Sequence, residues 1–146
     1  MIVLDTNVLS ESFRSGANPR VVEFVANTRA LAVTSVTVFE LLEGISMLPE
    51  GNRRRVLAES VESVLRVFES RVLPYTTASA RLHATQGEAR RRSGRPISME
   101  DGMIAAICRE HGATLATRNS RDFECLGINL INPWDKSESR LASSPS

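Results

Sequence analysis

Four carboxylates in this 146-residue chain stand where a merely solvated charge is not expected. Asp5 ends the apolar run Ile2-Val3-Leu4, Glu40 lies within an apolar side of the helical pattern from Ser35 to Leu48, and Asp101 begins an inward stripe continued by Ile104, Ala105 and Cys108. Asp122 follows shortly after the apolar stretch Thr114-Leu115-Ala116-Thr117. Carboxylates gathered without counter-charge raise one another's pKa, whereas a divalent cation keeps them ionised and makes their clustering favourable. An all-oxygen donor set favours Mg²⁺ or Mn²⁺. His83 and His111 lie at no spacing that builds a zinc motif and read as structural. A magnesium ion held by a few carboxylates keeps waters and also takes phosphate oxygens, so the chemistry indicated is attack of water on a phosphate ester.

The elements that must position these acids are legible from periodicity and punctuation. Ile2 to Leu4 does not alternate, as in a strand covered on both faces of a parallel sheet, and Asp5 then sits at the carboxyl end, where open α/β sheets bind ligands. A short helix is expected from Val8 to Phe13. A second opens at Pro19 and carries Val21, Val22, Phe24 and Val25. Leu31 to Thr34 reads as a buried strand. The helix from Ser35 to Leu48 is apolar on two sides, one bearing Val38, Leu41, Leu42, Ile45 and Leu48 and the other Val36, Phe39, Gly44 and Met47, so it is expected to be mostly buried. Arg53 to Phe68 reads as an amphipathic helix whose Arg53-Arg54-Arg55 run is a solvated face. Val72-Leu73 is a short strand, and Thr77 opens a helix ending near Ser93-Gly94. There Arg90-Arg91-Arg92 and Arg95 either touch phosphate or offset the helix dipole. Ser98-Met99-Glu100-Asp101 fits a capping box before the apolar helix Met103 to Cys108, closed by His111-Gly112. Thr114 to Thr117 and Asn129 to Ile131 are the last strands. Each acid has a structural alternative: Asp5, Thr6 or Asn7 as a helix cap, Asp101 as part of the capping box, Asp122 as the cap of a short turn.

Length allows one domain with a real core. A compact part of residues 1–134 is expected, followed by a Ser-rich tail, 135–146, without apolar periodicity, expected to be disordered. A net charge of +1 gives no overall attraction to nucleic acid, so any such binding needs a local patch. Cys108 and Cys125 are too few for a disulfide framework and read as reduced core residues. The absence of a signal peptide or an apolar span of membrane length points to a soluble cytoplasmic protein. An aspartyl-nucleophile phosphatase would want a second acid at position 7, where Asn7 stands. A glycosidase cleft finds one Trp and one Tyr to line it.

In order along the chain, Val3-Leu4-Asp5-Thr6-Asn7, Phe39-Glu40-Leu41 with Gly44-Ile45, Asp101-Gly102-Met103-Ile104-Ala105-Ala106, Thr117-Arg118-Asn119 with Asp122-Phe123, and Asn132-Pro133-Trp134 resemble the PIN-domain family, and within it the VapC-type toxins with their FitB-like branch. The resemblance implies a three-layer α/β/α fold on a parallel sheet of about five strands. It also implies an Mg²⁺- or Mn²⁺-dependent endoribonuclease, the toxin of a type II toxin–antitoxin pair. Metal ligation falls on Asp5 and Asp101, with Glu40 and Asp122 completing the acidic pocket and Thr6 and Asn119 in supporting polar positions. The implied partners are an RNA substrate, a cognate antitoxin that covers the acids, a second copy of the chain in a homodimer, and operator DNA only through the antitoxin. Gly102 departs from the alanine often found there, and Glu43, Glu100 and Glu124 are neighbouring acids that could compete for the pocket. The alternative reading is a non-catalytic PIN-like module that binds RNA or protein, its acids being caps and solvated charges.

Overall fold

The computed structural model describes residues 1–136. Its elements are β1 (Ile2–Leu4), α1 (Thr6–Glu11), α2 (Pro19–Asn27), β2 (Leu31–Thr34), α3 (Ser35–Ser46), α4 (Asn52–Val67), β3 (Val72–Leu73), α5 (Thr77–Arg92), α6 (Met99–Glu110), β4 (Thr114–Ala116), α7 (Ser120–Phe123) and β5 (Asn129–Ile131). The strands form one sheet in the order β3-β2-β1-β4-β5 with every pairing parallel, Val3 lying opposite Ala32 on one side and Leu115 on the other. Chain order reverses direction between β1 and β4. That is the topological switch point, where the crevice beyond the strand ends is open for a ligand.

Two cores explain why β1 is apolar without alternation. Leu4, Leu31 and Val33 pack with Val8, Leu9, Val21, Phe24, Leu41, Ile45 and Val61 of α1 to α4. Val3, Ala32 and Leu115 pack on the other face with Ile104, Ala105, Ile107, Cys108 and Phe123 of α6 and α7. α5 lies against α6, completing the three layers. Local chemistry sets the helix starts: Asn18, Thr34, Thr76 and Ser98 each accept a backbone N–H from the first turn they precede, and Pro19 supplies a preset φ at the start of α2. Glu11, buried at the end of α1, accepts the N–H of Asn18 at 2.9 Å and pairs with Arg14 at 3.1 Å, tying α1 to the start of α2.

Three expectations need correction. α3 is not covered on both sides: Val36, Leu41 and Ile45 are buried, but Phe39, Leu42 and Met47 are exposed, because its neighbours α1, α4 and α6 cover only the inward side. Cys108 is buried as expected, but Cys125 is exposed; its backbone lies in the left-handed region at φ 64°, which turns the chain so that Leu126 takes the inward place. Arg90 of the cluster expected to touch phosphate or offset the helix dipole is instead a buried side chain whose guanidinium donates to backbone carbonyls of another segment. The tail assigned to 135–146 lies outside the described residues except for Asp135 and Lys136, which are exposed. Among the described residues no helix is long and apolar enough to cross a membrane.

A candidate acidic active site

Asp5 sits where β1 stops. Its backbone N–H donates to the carbonyl of Ala116 at 2.9 Å, continuing the β1–β4 ladder by one step and fixing the residue at the switch point. The side chain is buried, 4% exposed, with both oxygens engaged: Oδ1 accepts the N–H of Thr6 at 2.8 Å and Oδ2 accepts the hydroxyl of Thr117 at 2.7 Å. Asp5 is therefore the cap of α1 and a member of the cluster at once; the two readings of the sequence do not compete. The direction of the Thr117 hydroxyl follows from its other contacts. Its oxygen accepts the N–H of Asn119 at 3.1 Å and faces Nδ2 of Asn7 at 3.4 Å, which leaves its single proton for Asp5.

Glu40 reaches the same place from the second turn of α3. The hydroxyl of Thr6 donates to its Oε1 at 2.7 Å, and Thr37, whose N–H is held by Thr34 at 3.1 Å, brings a further hydroxyl within 3.2 Å of Thr6. Asp101 stands in the first turn of α6, where the helix dipole favours an anion. Its N–H donates to Oγ of the cap Ser98 at 3.2 Å. Asp122 lies in α7, exposed, and Asn119 precedes that helix without a side-chain bond to it. Of the neighbouring acids, Glu100 adds its field to the cluster, whereas Glu124 is half-exposed beside Arg95 at 3.8 Å and Glu43 points to solvent.

The electrostatics bind these positions into one group. Burial raises the pKa of Asp5, opposed by its bonds from Thr117 and Thr6 and reinforced by the charge of Asp122. Glu40 is raised by burial, against the Thr6 bond, and further by Asp5, Asp101 and Glu100. Asp101 is raised by burial and then by Asp5, with Asp122 and Glu100 adding to it. The arginine–glutamate pairs Arg14–Glu11, Arg55–Glu59, Arg92–Glu88 and Arg95–Glu124 involve none of the four acids. A folded state whose carboxyls are raised binds protons before the unfolded chain does. Its stability therefore falls as pH climbs through the window between the ordinary values, 3.8 for Asp and 4.5 for Glu, and the raised ones. Glu11, held low mainly by the Asn18 N–H, contributes in the opposite sense at lower pH. Metal-free protein is accordingly expected to melt at a higher temperature at mildly acidic pH than at neutral pH. Asp5→Asn should flatten that dependence; a wild-type melting temperature that instead rises steadily towards pH 7 would contradict the arrangement.

The donor set fits a hard cation in a particular manner. Among the described residues no group of three or more His, Cys, Asp or Glu side chains stands at metal-ligand spacing, so these acids are not a ready-made protein cage. A hydrated magnesium ion needs only one or two carboxylates, the remaining places going to water and substrate oxygens. Asp5 and Asp101 are the residues that would hold such an ion, with Glu40 and Asp122 at the margin.

Two features of the site escaped the sequence reading. Thr117 appears there as a strand end, although a threonine two residues before the Asn119 loop carries the hydroxyl that holds Asp5. Ser79, His83, Gln86 and Arg90, at helical spacing along α5, form a polar stripe that faces inward, with Ser79, Gln86 and Arg90 buried. Arg90 donates from NH1 to the carbonyl of Glu124 at 3.0 Å and from NH2 to that of Asp122 at 3.1 Å, and Gln86 Nε2 donates to the carbonyl of Leu126 at 2.8 Å. These side chains hold the segment that carries Asp122. The sequence signal was the stripe itself, masked because Arg90 opens a run of three arginines.

The architecture and the acidic cluster at its switch point define a class. Residues 2–127 match the family model described as PIN domain, and the chain belongs to that family. Within it, the chain is similar to VapC ribonuclease Y4jK of Sinorhizobium fredii (strain NBRC 101917 / NGR234), 36% identical over 138 residues that span 92% of this chain and 99% of the relative. It is equally similar to Toxin FitB of Neisseria gonorrhoeae (strain ATCC 700825 / FA 1090), 36% identical over 137 residues covering 92% of this chain and 99% of the relative. Among solved structures, FitAcB from Neisseria gonorrhoeae superposes with a TM-score of 0.86 at 36% identity, over 92% of this chain and 99% of the solved one.

Proposed function

We propose that this chain is an Mg²⁺- or Mn²⁺-dependent endoribonuclease, the toxin of a type II toxin–antitoxin pair, which hydrolyses RNA phosphodiester bonds at Asp5, Glu40, Asp101 and Asp122. The observation that carries the reading is Asp5: a buried carboxylate at the switch point, held by the Thr6 N–H and the Thr117 hydroxyl, within the field of the other acids. The names of the similar proteins, a ribonuclease and a toxin, support the same reading.

When bound, a hydrated divalent cation supplies charge neutralisation of a substrate phosphate and an acidified water. The rest is done by the chain. Thr117 and the Thr6 N–H fix both oxygens of Asp5 so that the carboxylate enters the reaction without reorganising. Glu40, with Oε1 held by Thr6 and its pKa raised by burial, is suited to accept a proton from an attacking water. Asp101, on the first turn of a helix whose buried face is locked in the core, brings the second carboxylate to the pocket with little freedom. The phosphodiester O–P bond breaks as the water oxygen attaches, and the leaving sugar oxygen takes a proton from solvent.

Beside Thr6 and Glu40 opens a groove of about 770 Å³ between α1, α3 and α4, lined by Phe13, Leu41, Ile45 and Leu57 together with Arg14 and Arg53. An apolar floor continuous with the acids suits an amphipathic segment of a protein partner that also covers the site, as an antitoxin would. The exposed Phe39, Leu42 and Met47 of α3 suit a second copy of the chain. The test of the activity is cleavage of single-stranded RNA by purified protein. Cleavage is expected with Mg²⁺ or Mn²⁺ and should disappear with EDTA and return on adding the ion back. Cleavage that persists unchanged in EDTA, or none under any condition, would overturn the proposal.

A further inference from the structure

The first turn of α6, which presents Asp101, meets α5 at a point where one side chain fills the place of another. Gly102 is buried, and a β-carbon built on it would fall 2.4 Å from Nε2 and 2.7 Å from Cδ2 of His83. No real β-carbon tolerates such an approach, so the imidazole lies directly on the glycine backbone. The ring is held from its other edge: Nδ1 of His83 is hydrogen-bonded to the hydroxyl of Tyr75 at 2.9 Å, and the two rings meet edge to face at 79°. Tyr75 is tied in turn to the start of α3, its N–H donating to Oγ of Ser35 at 3.3 Å. A continuous set of contacts thus runs from α3, which carries Glu40, through Tyr75 and His83 to Gly102 and the turn that carries Asp101.

We propose that His83 is a positioning residue for Asp101, its imidazole seated on Gly102 and braced by Tyr75, so that residues 83 and 102 act as one pair fixing the first turn of α6 against the pocket. The inference rests on the nuclease reading for its consequence, because the turn matters to activity only if Asp101 does. It accounts for glycine at position 102, where the resemblance leads one to expect alanine: with His83 in place, a methyl group has no room. Moving the ring aside breaks the bond to Tyr75 or tilts the turn.

The test is a double-mutant cycle on the full chain with Gly102→Ala, His83→Ala and both together, and with Tyr75→Phe as a probe of the brace alone. Melting temperature, Mn²⁺ affinity by calorimetry, and kcat and KM for RNA are read for each. Loss of a partner that orients a metal ligand typically costs ten- to a hundredfold. Gly102→Ala is expected to weaken Mn²⁺ binding by about tenfold and to lower kcat by a similar factor with KM little changed, and Tyr75→Phe to act in the same direction by less. The double variant should bind Mn²⁺ as His83→Ala alone does, because the methyl then finds space. Effects that simply multiply, or a Gly102→Ala protein with wild-type Mn²⁺ affinity, would overturn the proposal. If Gly102→Ala does not fold, the double variant decides: a folded protein supports the pairing and an unfolded one refutes it. The melting-temperature cycle reports the contact even if wild-type protein neither binds Mn²⁺ nor cuts RNA, an outcome that would sink the nuclease reading instead.

Discussion

Asp5→Asn is expected to lower RNA cleavage on the order of a thousandfold, comparable to the loss of one preorganised group in other hydrolytic sites. It should do so without loosening the fold. The amide keeps an oxygen for the Thr6 N–H; its NH₂ replaces the oxygen that accepts from Thr117, so that one hydrogen bond is given up, a smaller cost than that of holding a buried charge. Because burial raises the pKa of Asp5, the charged form costs folding free energy at neutral pH, and a neutral isostere removes that cost. The variant should therefore melt no lower than wild type at pH 7, and higher in the absence of metal. Activity that falls while stability holds or rises marks a functional carboxylate; were Asp5 only the cap of α1, asparagine, an equally good cap, would leave both unchanged. A variant that retains wild-type cleavage would remove Asp5 from the site.

Arg90→Ala is expected to show the largest loss of stability of any arginine change, about 3 kcal/mol in urea unfolding, since two backbone carbonyl oxygens lose their charged donor and a long buried side chain leaves a packed interface. Those carbonyls belong to Asp122 and Glu124, so the segment around α7 should also become accessible to protease before the rest of the domain unfolds. Arg90→Lys should not restore it, because an ammonium cannot reproduce the fork that reaches both oxygens. Arg91→Ala and Arg92→Ala, on the exposed side of the same helix, serve as controls expected within about 0.5 kcal/mol of wild type. An Arg90→Ala protein as stable as those controls would contradict the anchoring role.

The parallel sheet and its five strands were legible because the strands are short uninterrupted apolar runs bounded by polar residues, and β1, β2, β3 and β5 fall within the expected limits. The placement of Asp5 followed from the same pattern. What periodicity could not show was relations between elements. Thr117 is distant in sequence from the carboxylate it holds, and although it begins the resembling stretch Thr117-Arg118-Asn119, only Asn119 of that stretch was given a supporting place. α3 carries apolar residues on both sides, yet while Val36, Val38, Leu41 and Ile45 pack within the chain, Phe39 and Met47 are left in solvent. Arg90 was hidden by composition, since a run of arginines at a helix end reads as one group that touches phosphate or offsets the dipole, even when one of them sits on the inward stripe of its helix. Gly102 was visible as a departure, but its cause lies in the imidazole of His83 on another helix.

Asp5 and Asp101, with their neighbours, are the proposed site for a hydrated divalent cation. Calorimetric titration of Mn²⁺ into metal-free protein at neutral pH, repeated with Asp5→Asn and Asp101→Asn, tests it without reference to any substrate. Saturable binding to wild-type protein that weakens as pH falls, as expected for ligands that must first lose protons, and that is lost in both variants is the predicted result. Wild-type protein that takes up no Mn²⁺, or variants that bind it as tightly as wild type, would contradict the claim.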